Sequence, residues 1–511
     1  MSAKYQYKTD QFNNTGGRFN NTCHQFAGRG IIFFLLSLTM MTGACRKMIV
    51  IGEPINTITA TEVFQADAQA GSAMAGVYTL MINVDGSTNF AAGETSALTG
   101  MSSDELTYYV KEAGYNPYVT NTLTATTSYG SGNIWSSAYT TIYRANSVIE
   151  GISASKSAML HDSARTLLTG EAKFVRAFSY FYLTNLFGDV PLALTIDFNQ
   201  TQNIAKTPQK LVYQQIVKDL TDAQAALPAA YVNGVNTRIR PNKWAATALL
   251  ARVYLYMGDY ANAASQATAV INQSDQYSLP TDLNTVFLTN SQEAIWQLQQ
   301  NPGSQYTGTA TPEGMLFVVS IPGTGNAAYN LSDELLGAFE TGDARKAAWV
   351  GMTDNTYSGQ PPRYSWYPYK YKTGNYNRVI SASALPTEYY MVLRLAEQYL
   401  IRAEAAANGA AGGTAAAIAD LNVIRSRAGL PALPASLSSD QVKAAVAQER
   451  RIEFFAEWGH RWLDLKRTGQ AQNVLSQVPV KQPWRGDYQL LYPIPIAEIQ
   501  TDHNLLQNIG Y

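Results

Sequence analysis

Paired helical stripes are the feature that most restricts how this chain folds. The segment "NKWAATALLARVYLYMGDYANAASQATAVINQ", residues 242–273, carries large and small residues at helical spacing on either side of Gly258. Small residues such as Ala263 and Ala267 allow a second helix to lie close to the bulky Leu250 and Tyr254 of the first. The pattern predicts two antiparallel helices joined by a short turn.

Such a pair is typical of tetratricopeptide-like repeats, and weaker versions occur elsewhere in the chain. Residues 170–188 and 388–429 have related helix-turn-helix character, and further helical stripes run over 61–83, 134–152 and 208–227. Thr61 is the expected N-cap of the first stripe, and Pro208 is suited to a helix start. We therefore expect a mostly α fold, a scaffold of several repeat-like helix pairs.

Two regions lack these stripes. Residues 84–133 are rich in Gly, Ser, Thr and Asn and are predicted to be loops. Residues 274–386 form a predicted insertion in which short strand-like runs, such as "EAIWQLQ" and "MLFVVSI", alternate with Gly, Pro, Asn and Thr. Long loops on a rigid scaffold usually carry binding functions, so we expect the ligand face on this insertion.

The N-terminal segment resembles a lipoprotein export signal. The apolar run "IIFFLLSLTMM", residues 31–41, is too short to span a bilayer and fits a signal peptide. The following "TGAC" resembles the bacterial lipobox, which predicts a signal peptide over 1–44, lipid on Cys45 and a mature domain over 45–511. The alternative is an ordinary signal or a buried segment with a bystander cysteine. No later apolar run is long enough to cross a membrane, so the lipid is the expected anchor.

Charge excludes one class of partner. The formal net charge is -1, and charged residues make up only 15% of the chain, which leaves no basic excess for binding nucleic acid. The 32 tyrosines, together with many Asn, Ser and Thr, indicate a polar but weakly charged surface. Such a surface suits uncharged polar ligands and an extracytoplasmic setting.

Several segments, taken in order, resemble the SusD/RagB family of outer-membrane lipoproteins of Bacteroidetes. They are "WSSAYTTIYRANSVIEGI", "GEAKFVRAFSYFYLTNLFGDVPL", "RLAEQYLIRAEAAA", "LNVIRSRAGLP", "ERRIEFFAEWGHRWLDLKRTG" and "YPIPIAEIQTDHNLLQNIGY". The resemblance implies a SusD-like helical fold, an oligosaccharide or peptide ligand, and a SusC-like TonB-dependent transporter as partner. It also implies a lipid-anchored protein exposed at the outer-membrane surface. Arg46 and Lys47 depart from the acidic residues that often follow the cysteine in exported surface lipoproteins.

One charged segment has the composition of a catalytic site. Glu449, Glu453 and Glu457 are spaced four apart, and His460 follows them. Paired carboxylates can perform acid–base chemistry, but spacing of four also favours ion pairs along a helix, here with Arg450 and Arg461. We favour the ion pairs. The sequence contains no GxSxG or phosphate-binding motif and no histidine pair at metal-ligand spacing, so neither an enzyme nor a cofactor or metal site is predicted.

The aromatic run 357–378 is the first candidate ligand site, because pyranose rings stack on Trp and Tyr faces. The candidate platforms are Tyr364, Trp366, Tyr367 and Tyr376, and the candidate polar partners are Arg363, Asn375 and Asn377. Alternatively, a strand here directs Tyr367, Tyr369 and Tyr371 into the core, with Trp366 in the opposite phase. The second candidate is the early loop with Asp104, Tyr108, Tyr109, Tyr115 and Tyr118.

Three functions compete at this point. The first is a surface nutrient-binding lipoprotein, most simply for a glycan, that delivers its ligand to the transporter. The second is a helical-repeat subunit that gates or assembles the transporter and has little ligand affinity of its own. The third, an exported glycosidase, needs two carboxylates within about 10 Å in a cleft. The sequence shows no such pair outside the charged segment.

Overall fold

The computed structural model describes residues 63–82, 89–109, 114–127, 130–232, 237–319, 327–354 and 364–511. Residues 60–511 form one compact unit. Cys45, the predicted signal peptide and Arg363 lie outside the described residues. Among the helices that the structure describes, none has both the length and the apolar character that a membrane crossing needs.

The first half of the unit is built mainly of helices, and its longer helices pack against one another. They are α1 (Asp67–Ile82), α2 (Thr95–Ser102), α3 (Asn116–Val119), α4 (Ser131–Ala154), α5 (Asp162–Phe187), α6 (Phe198–Thr201), α7 (Gln209–Ala226), α8 (Lys243–Tyr256) and α9 (Tyr260–Ile271). Strand β1 (Leu106–Tyr108) lies between α2 and α3, and β2 (Val190–Pro191) and β3 (Lys206–Thr207) flank α6. Helix α5 is largely buried from Leu168 onward, where it packs between α4 and α7 and forms the centre of the core.

Helices α8 and α9 confirm the predicted repeat-like pair. Gly258, at the turn between them, has a left-handed φ of 74°, which glycine adopts without strain. Ala251 on α8 and Ala263 and Ala267 on α9 are fully buried in one shared cluster. Helix α9 packs against a later helix as well as against α8, so the pair is joined to the second half of the fold.

The second half combines short strands with helices. Its strands are β4 (Ala294–Leu298), β5 (Tyr329–Leu331), β6 (Val350–Asp354), β7 (Tyr364–Pro368) and β8 (Tyr390–Arg394). Its helices are α10 (Pro312–Phe317), α11 (Asp333–Leu336), α12 (Ala344–Trp349), α13 (Leu395–Ala407), α14 (Gly413–Arg427), α15 (Ser439–Glu453), α16 (His460–Arg467), α17 (Ala471–Leu475) and α18 (Ile496–Thr501). The predicted mostly α fold with a strand-bearing insertion is confirmed.

Each sheet in the described chain has two antiparallel strands, in the pairs β1–β5, β2–β3, β4–β8 and β6–β7. Leu106 of the early loop lies opposite Leu331 of the insertion, and Val350 lies opposite Pro368 in the β6–β7 hairpin. Strand β5 also packs beside β7. The early loop and the insertion are therefore neighbours, although they are far apart in sequence.

Two local predictions are wrong. Phe90–Ser102, within the expected loop region, forms an irregular turn and helix α2, and all of its residues are buried. A helix of small residues that is buried on every side has no apolar stripe by which to recognise it. Likewise "MLF" of the expected strand 315–321 belongs to α10, because Thr311 caps its first turn and Pro312 is pre-set for a helix start.

The first helix is shorter than its stripe predicts. Helix α1 begins at Asp67, so Val63 and Phe64 precede it, and the predicted cap Thr61 lies outside the described residues. Phe64 is nevertheless buried, with its ring against Gly151 of α4. An apolar residue in a turn can be as buried as one in a helix. The apolar pattern therefore predicts a helix start several residues before the true one.

A largely buried network of ion pairs joins the insertion to the C-terminal helices. Its basic members are Arg345, Lys370, Arg394, Arg425 and Arg427, and its acidic members are Glu293, Glu340, Asp343, Glu449, Glu453 and Glu457. Burial alone would raise the pKa of Glu453, but the guanidinium groups of Arg427, Arg394 and Arg345 hold this pKa well below its ordinary value. The carboxylate therefore remains charged inside the fold.

The network corrects the partners predicted for the ion pairs of the charged segment. Its three glutamates are buried and take their basic partners from the insertion, from β8 and from α14, whereas Arg450 pairs with Asp464 and Arg461 with Asp104. Helix α15 ends at Glu453 before the third glutamate, so spacing of four does not continue through the segment. The ion-pair interpretation is correct in kind, but the pairs are long-range and buried.

Candidate ligand-binding face

The β6–β7 hairpin presents one outward face, which we call the hairpin face: Met352, Asp354, Tyr364 and Trp366. The register sets Trp366 opposite Met352 and Tyr364 opposite Asp354. Tyr364 is 51% exposed, and Asp354 is also exposed, while Trp366 is half-buried and packs against the core. An accessible aromatic ring beside a carboxylate offers both a stacking surface and a hydrogen-bond acceptor.

The inner face of the same hairpin is closed. Tyr367 is 5% exposed and packs with Val319 and Ala327, so its prediction as an exposed platform is wrong and the alternating-strand interpretation holds. Its ring lies across Gly351, where an added Cβ would overlap the phenol. Tyr371, further along, is also buried, and its hydroxyl accepts a hydrogen bond from Met391 N at 2.9 Å. Trp366 thus has the opposite phase to these tyrosines, as predicted.

Tyr376 lies in a turn that follows the hairpin. It is 41% exposed, and its hydroxyl contacts that of half-buried Tyr369, whose pKa is raised to about 12, first by burial and then by Tyr376. The side chain of Asn377 is used within the turn: it accepts from Gly374 N at 2.8 Å and donates to Lys372 O at 3.1 Å. Asn377 therefore shapes the turn, while Tyr376 and exposed Asn375 remain accessible to a ligand.

Tyrosines of the early loop meet the insertion at β5. The ring of Tyr108 lies 4.6 Å from that of Tyr115 and 5.0 Å from that of Tyr329, measured between centroids. Tyr109 is 38% exposed, and its backbone N–H donates to Ala328 O at 2.9 Å. Because β5 also packs beside β7, the two predicted sites are neighbours in the structure, and we call them together the aromatic region.

Two residues of the early loop are in the wrong environment for ligand contact. Tyr118 is fully buried, its ring packs against Tyr492 at 5.5 Å, and its hydroxyl accepts from Ser131 N at 2.8 Å. Asp104 is 4% exposed and binds Arg451 and Arg461, each at 2.7 Å. Both side chains serve the fold, so both predictions are corrected.

The sequence did not single out three residues of this region. Tyr329 joins the early loop to the insertion, but only the β1–β5 pairing, which a single sequence does not reveal, indicates its position. Asp354 precedes the aromatic run and gains its importance from standing opposite Tyr364. Tyr306, 48% exposed, lies on a loop that is bonded to the segment after Tyr376 through Thr309 N and Val379 O at 2.9 Å. Exposed tyrosine in the insertion is the signal that could have identified it.

Carboxylates with raised pKa lie in the interior rather than on the hairpin face. Burial raises the pKa of Glu94, Glu105 and Glu313 to about 8. Glu313 accepts hydrogen bonds from Ser96 and from the hydroxyl of Tyr390 and is 2% exposed. Side chains enclosed in this way have no open space for a substrate. Within the described ranges, no three His, Cys, Asp or Glu side chains gather closely enough to hold a metal ion.

Comparison with known families matches both ends of the described unit. Residues 344–511 match the profile described as "SusD family", and residues 64–255 match the profile described as "Starch-binding associating with outer membrane". Two sequence relatives are the SusD-like protein P2 of Formosa agariphila and the starch-binding protein SusD of Bacteroides thetaiotaomicron. The first is 27% identical over 73% of this chain and 79% of the relative, and the second is 26% identical over 67% and 72%.

Solved structures share the fold. A laminarin-binding SusD-like protein superposes with a TM-score of 0.71 at 26% identity, covering 88% of this chain and 100% of that protein. A SusD superfamily protein from Bacteroides vulgatus gives the same TM-score and coverage at 22% identity. The SusD-like helical architecture expected from the sequence is therefore confirmed.

Proposed function

Since this chain belongs to the SusD/RagB family, we propose that it is a nutrient-binding lipoprotein that captures a carbohydrate on the hairpin face. It passes the ligand to a SusC-like TonB-dependent transporter of the outer membrane. The observation that carries the proposal is the exposed ring of Tyr364 opposite the exposed carboxylate of Asp354. Laminarin and starch, which the names of two similar proteins specify, make a glycan the first ligand to test and a peptide the second.

The chemistry of the hairpin face suits an uncharged saccharide. The axial C–H groups of a pyranose form an apolar patch that stacks on a tyrosine or indole ring, while its hydroxyls donate to a carboxylate. Tyr364 and Trp366, two residues apart on one strand, lie on the same face and together offer a platform longer than one ring. Tyr376 and Tyr109 extend the accessible aromatic surface of this region.

Capture without catalysis is the second part of the proposal. Hydrolysis of a glycoside needs two carboxyl groups on either side of the bond, within about 10 Å of each other. Asp354 is the carboxylate of the hairpin face, and the glutamates of raised pKa are enclosed in the core. The chain therefore holds the ligand for transport and leaves its bonds intact.

Tyr364→Ala is expected to weaken binding of laminarin oligosaccharides by about 1–3 kcal/mol, the value of one stacked apolar surface. Because Tyr364 is half exposed at the end of a strand, the melting temperature should change little. Trp366→Ala should weaken binding and also lower the melting temperature, since the indole packs against the core. Isothermal titration calorimetry and thermal unfolding of the detergent-solubilised protein measure the two effects.

The matched control is Tyr143→Ala, which removes a tyrosine of similar exposure (49%) on helix α4, away from the insertion. It should bind like the parent protein. Equal affinity of the Tyr364 variant and the control would rule out the hairpin face. If laminarin, starch and peptide ligands all fail to bind, while the chain still co-purifies with a TonB-dependent barrel, the gating or assembly function is the better description.

Lipidation of Cys45 is the anchoring step that we propose. Cys45→Ala should abolish palmitate labelling and release the protein from the membrane fraction, because alanine has no thiol to carry the acyl chain. Ala44→Gly, which keeps a small residue beside the cysteine, is the matched control and should stay labelled. Continued labelling of the Cys45 variant would contradict the assignment. Protease treatment of intact cells then distinguishes a surface-exposed protein from a periplasmic one.

A further inference from the structure

A second concave site lies in the helical scaffold, on elements that do not form the hairpin face. It is a cavity of about 680 Å³ bounded by α8, α9, α13, α15 and α16. This volume lies within the usual range for small-molecule sites. Its walls include aliphatic side chains such as Leu255 and Val446 and the aromatic residues Tyr256 and Tyr260. The cavity can therefore hold a molecule of one or two sugar units.

Positive charge predominates around this cavity. Its basic lining residues are Lys443, Arg450, Arg451, Arg461 and Arg467, and its acidic lining residues are Glu404 and Asp464. Arg467 forms a two-pronged pair with Glu404, at 2.5 and 2.7 Å, and both Arg467 and Arg450 bind Asp464. The two acidic lining residues are thus neutralised by ion pairs with Arg450 and Arg467.

The remaining arginines share one carboxylate. Arg451 and Arg461 both bind Asp104, which comes from the loop before β1. Glu105, the next residue, adds little negative charge at neutral pH, because burial raises its pKa to about 8. Lys443 is exposed and forms no ion pair with any residue that the structure describes. Glu334 also lies beside Arg451, so five basic side chains face four carboxylates and one positive charge is in excess.

Buried donors at the cavity also lack acceptors. Arg450 is 2% exposed, and its Nη1 has no hydrogen-bond partner among the described residues; the same holds for Nε of Arg451. These two nitrogens are closed to solvent, so they do not reach the cavity themselves, but they leave the guanidinium charges poorly compensated beside it. Burial and repulsion from Arg461 lower the pKa of Arg451 in spite of Asp104, which agrees with an uncompensated positive charge.

We propose that this cavity is a binding site for a small organic acid, with a carboxylate or sulfate held by Arg451, Arg461 and Lys443. The two guanidinium groups and the Lys443 ammonium supply positive charge for the oxyanion, and Tyr256 and Tyr260 supply aromatic surface for the rest of the molecule. A sugar acid, such as a uronate, has both parts. A volume of about 680 Å³ suits such a molecule better than an acidic protein segment, which would need a longer groove.

The test is calorimetric titration of the detergent-solubilised full-length protein, at low ionic strength, with glucuronate, inorganic sulfate and glucose. We expect saturable binding of glucuronate and no binding of glucose at the same concentrations. Arg461→Gln and Arg451→Gln should each weaken glucuronate binding about ten-fold, as the loss of one charge-assisted pair does. Arg144→Gln, an exposed arginine on α4 outside the cavity, is the matched control and should change nothing.

Lys443→Gln is the second variant, for the case that an arginine variant fails to fold. Lys443 is exposed and forms no ion pair in the described ranges, so its substitution should not affect folding. We expect Lys443→Gln to weaken glucuronate binding several-fold. If sulfate binds as tightly as glucuronate, the site exists and recognises the oxyanion alone. If only glucuronate binds, the site exists and recognises the sugar ring as well as the carboxylate. Absence of saturable binding for both anions overturns the proposal, as does equal binding of glucose. A poly-glutamate peptide that binds where glucuronate does not would also overturn it.

The site is independent of the proposed glycan face. Tyr364→Ala should leave glucuronate binding unchanged, and Arg461→Gln should leave binding of neutral laminarin oligosaccharides unchanged. Failure of one activity therefore does not imply failure of the other.

Discussion

Arg394→Met is expected to lower the free energy of unfolding by about 3–5 kcal/mol, the usual cost of removing one partner from a buried ion pair. Arg394 ends β8 and contacts Glu293 at 2.8 Å, Glu453 at 2.6 Å and Glu457 at 2.9 Å. Methionine keeps much of the side-chain length but leaves three buried carboxylates without their shared cation. Urea denaturation followed by tryptophan fluorescence measures the loss.

The same substitution at Arg144 is the control, because this arginine is exposed and makes no ion pair within the described chain. It should change stability by less than about 0.5 kcal/mol. A loss below about 1 kcal/mol for Arg394→Met would show that the remaining cations reorganise to neutralise the carboxylates. Because Arg394 links the insertion to α15, we expect the variant to lose glycan binding along with stability.

Glu94→Gln is expected to stabilise the protein increasingly as the pH rises. Glu94 is 2% exposed, and neither carboxylate oxygen has a hydrogen-bond partner among the described residues. Burial raises its pKa from 4.5 to about 8, so the folded state binds a proton that the unfolded state releases. Its contribution is fully present below pH 4.5 and is lost as the pH rises through 8, at up to about 1.4 kcal/mol per pH unit.

Glutamine cannot ionise, so the variant and the parent should have similar stabilities near pH 4.5 and differ by a few kcal/mol at pH 9. Glu498→Gln, a half-buried residue on α18, is the matched control and should follow the parent curve. Thermal melts between pH 5 and 9 give the comparison. A constant difference across this range would mean that Glu94 does not change its protonation there. Glu105 and Glu313, shifted in the same direction, should make the parent itself less stable with rising pH.

The sequence predicts most of the scaffold because local spacing determines it. Ala263 and Ala267 at helical spacing identify the α8–α9 pair, and the two-residue period separates Trp366 from Tyr367 and Tyr371. The same reasoning fails for Phe90–Ser102, where burial on every side removes the periodic signal. Local pattern therefore identifies amphipathic elements and misses those that are wholly enclosed.

The candidate site is only partly predictable, since its members meet through long-range pairing. Tyr108 and Tyr364 are exposed or half-exposed as expected, but Tyr329, which connects their regions, has no distinguishing neighbours in the sequence. Asp104 has the residue type and loop position of a ligand contact. Instead, Asp104 forms ion pairs with Arg451 of α15 and Arg461 of α16. Only tertiary structure distinguishes these environments.

The β1–β5 sheet has a kinetic consequence. Beside it, Ser332 Oγ donates to Asp104 O at 2.6 Å across a separation of 228 residues, so the sheet closes a very long loop of chain. Contacts of such separation form late, because the entropy of loop closure is lost before the contact contributes free energy. The aromatic region should therefore be among the last parts to assemble. A chain that emerges from an export channel N-terminus first would form the helix pairs of its first half first, and its binding surface only after the hairpin strand Tyr364–Pro368 is free.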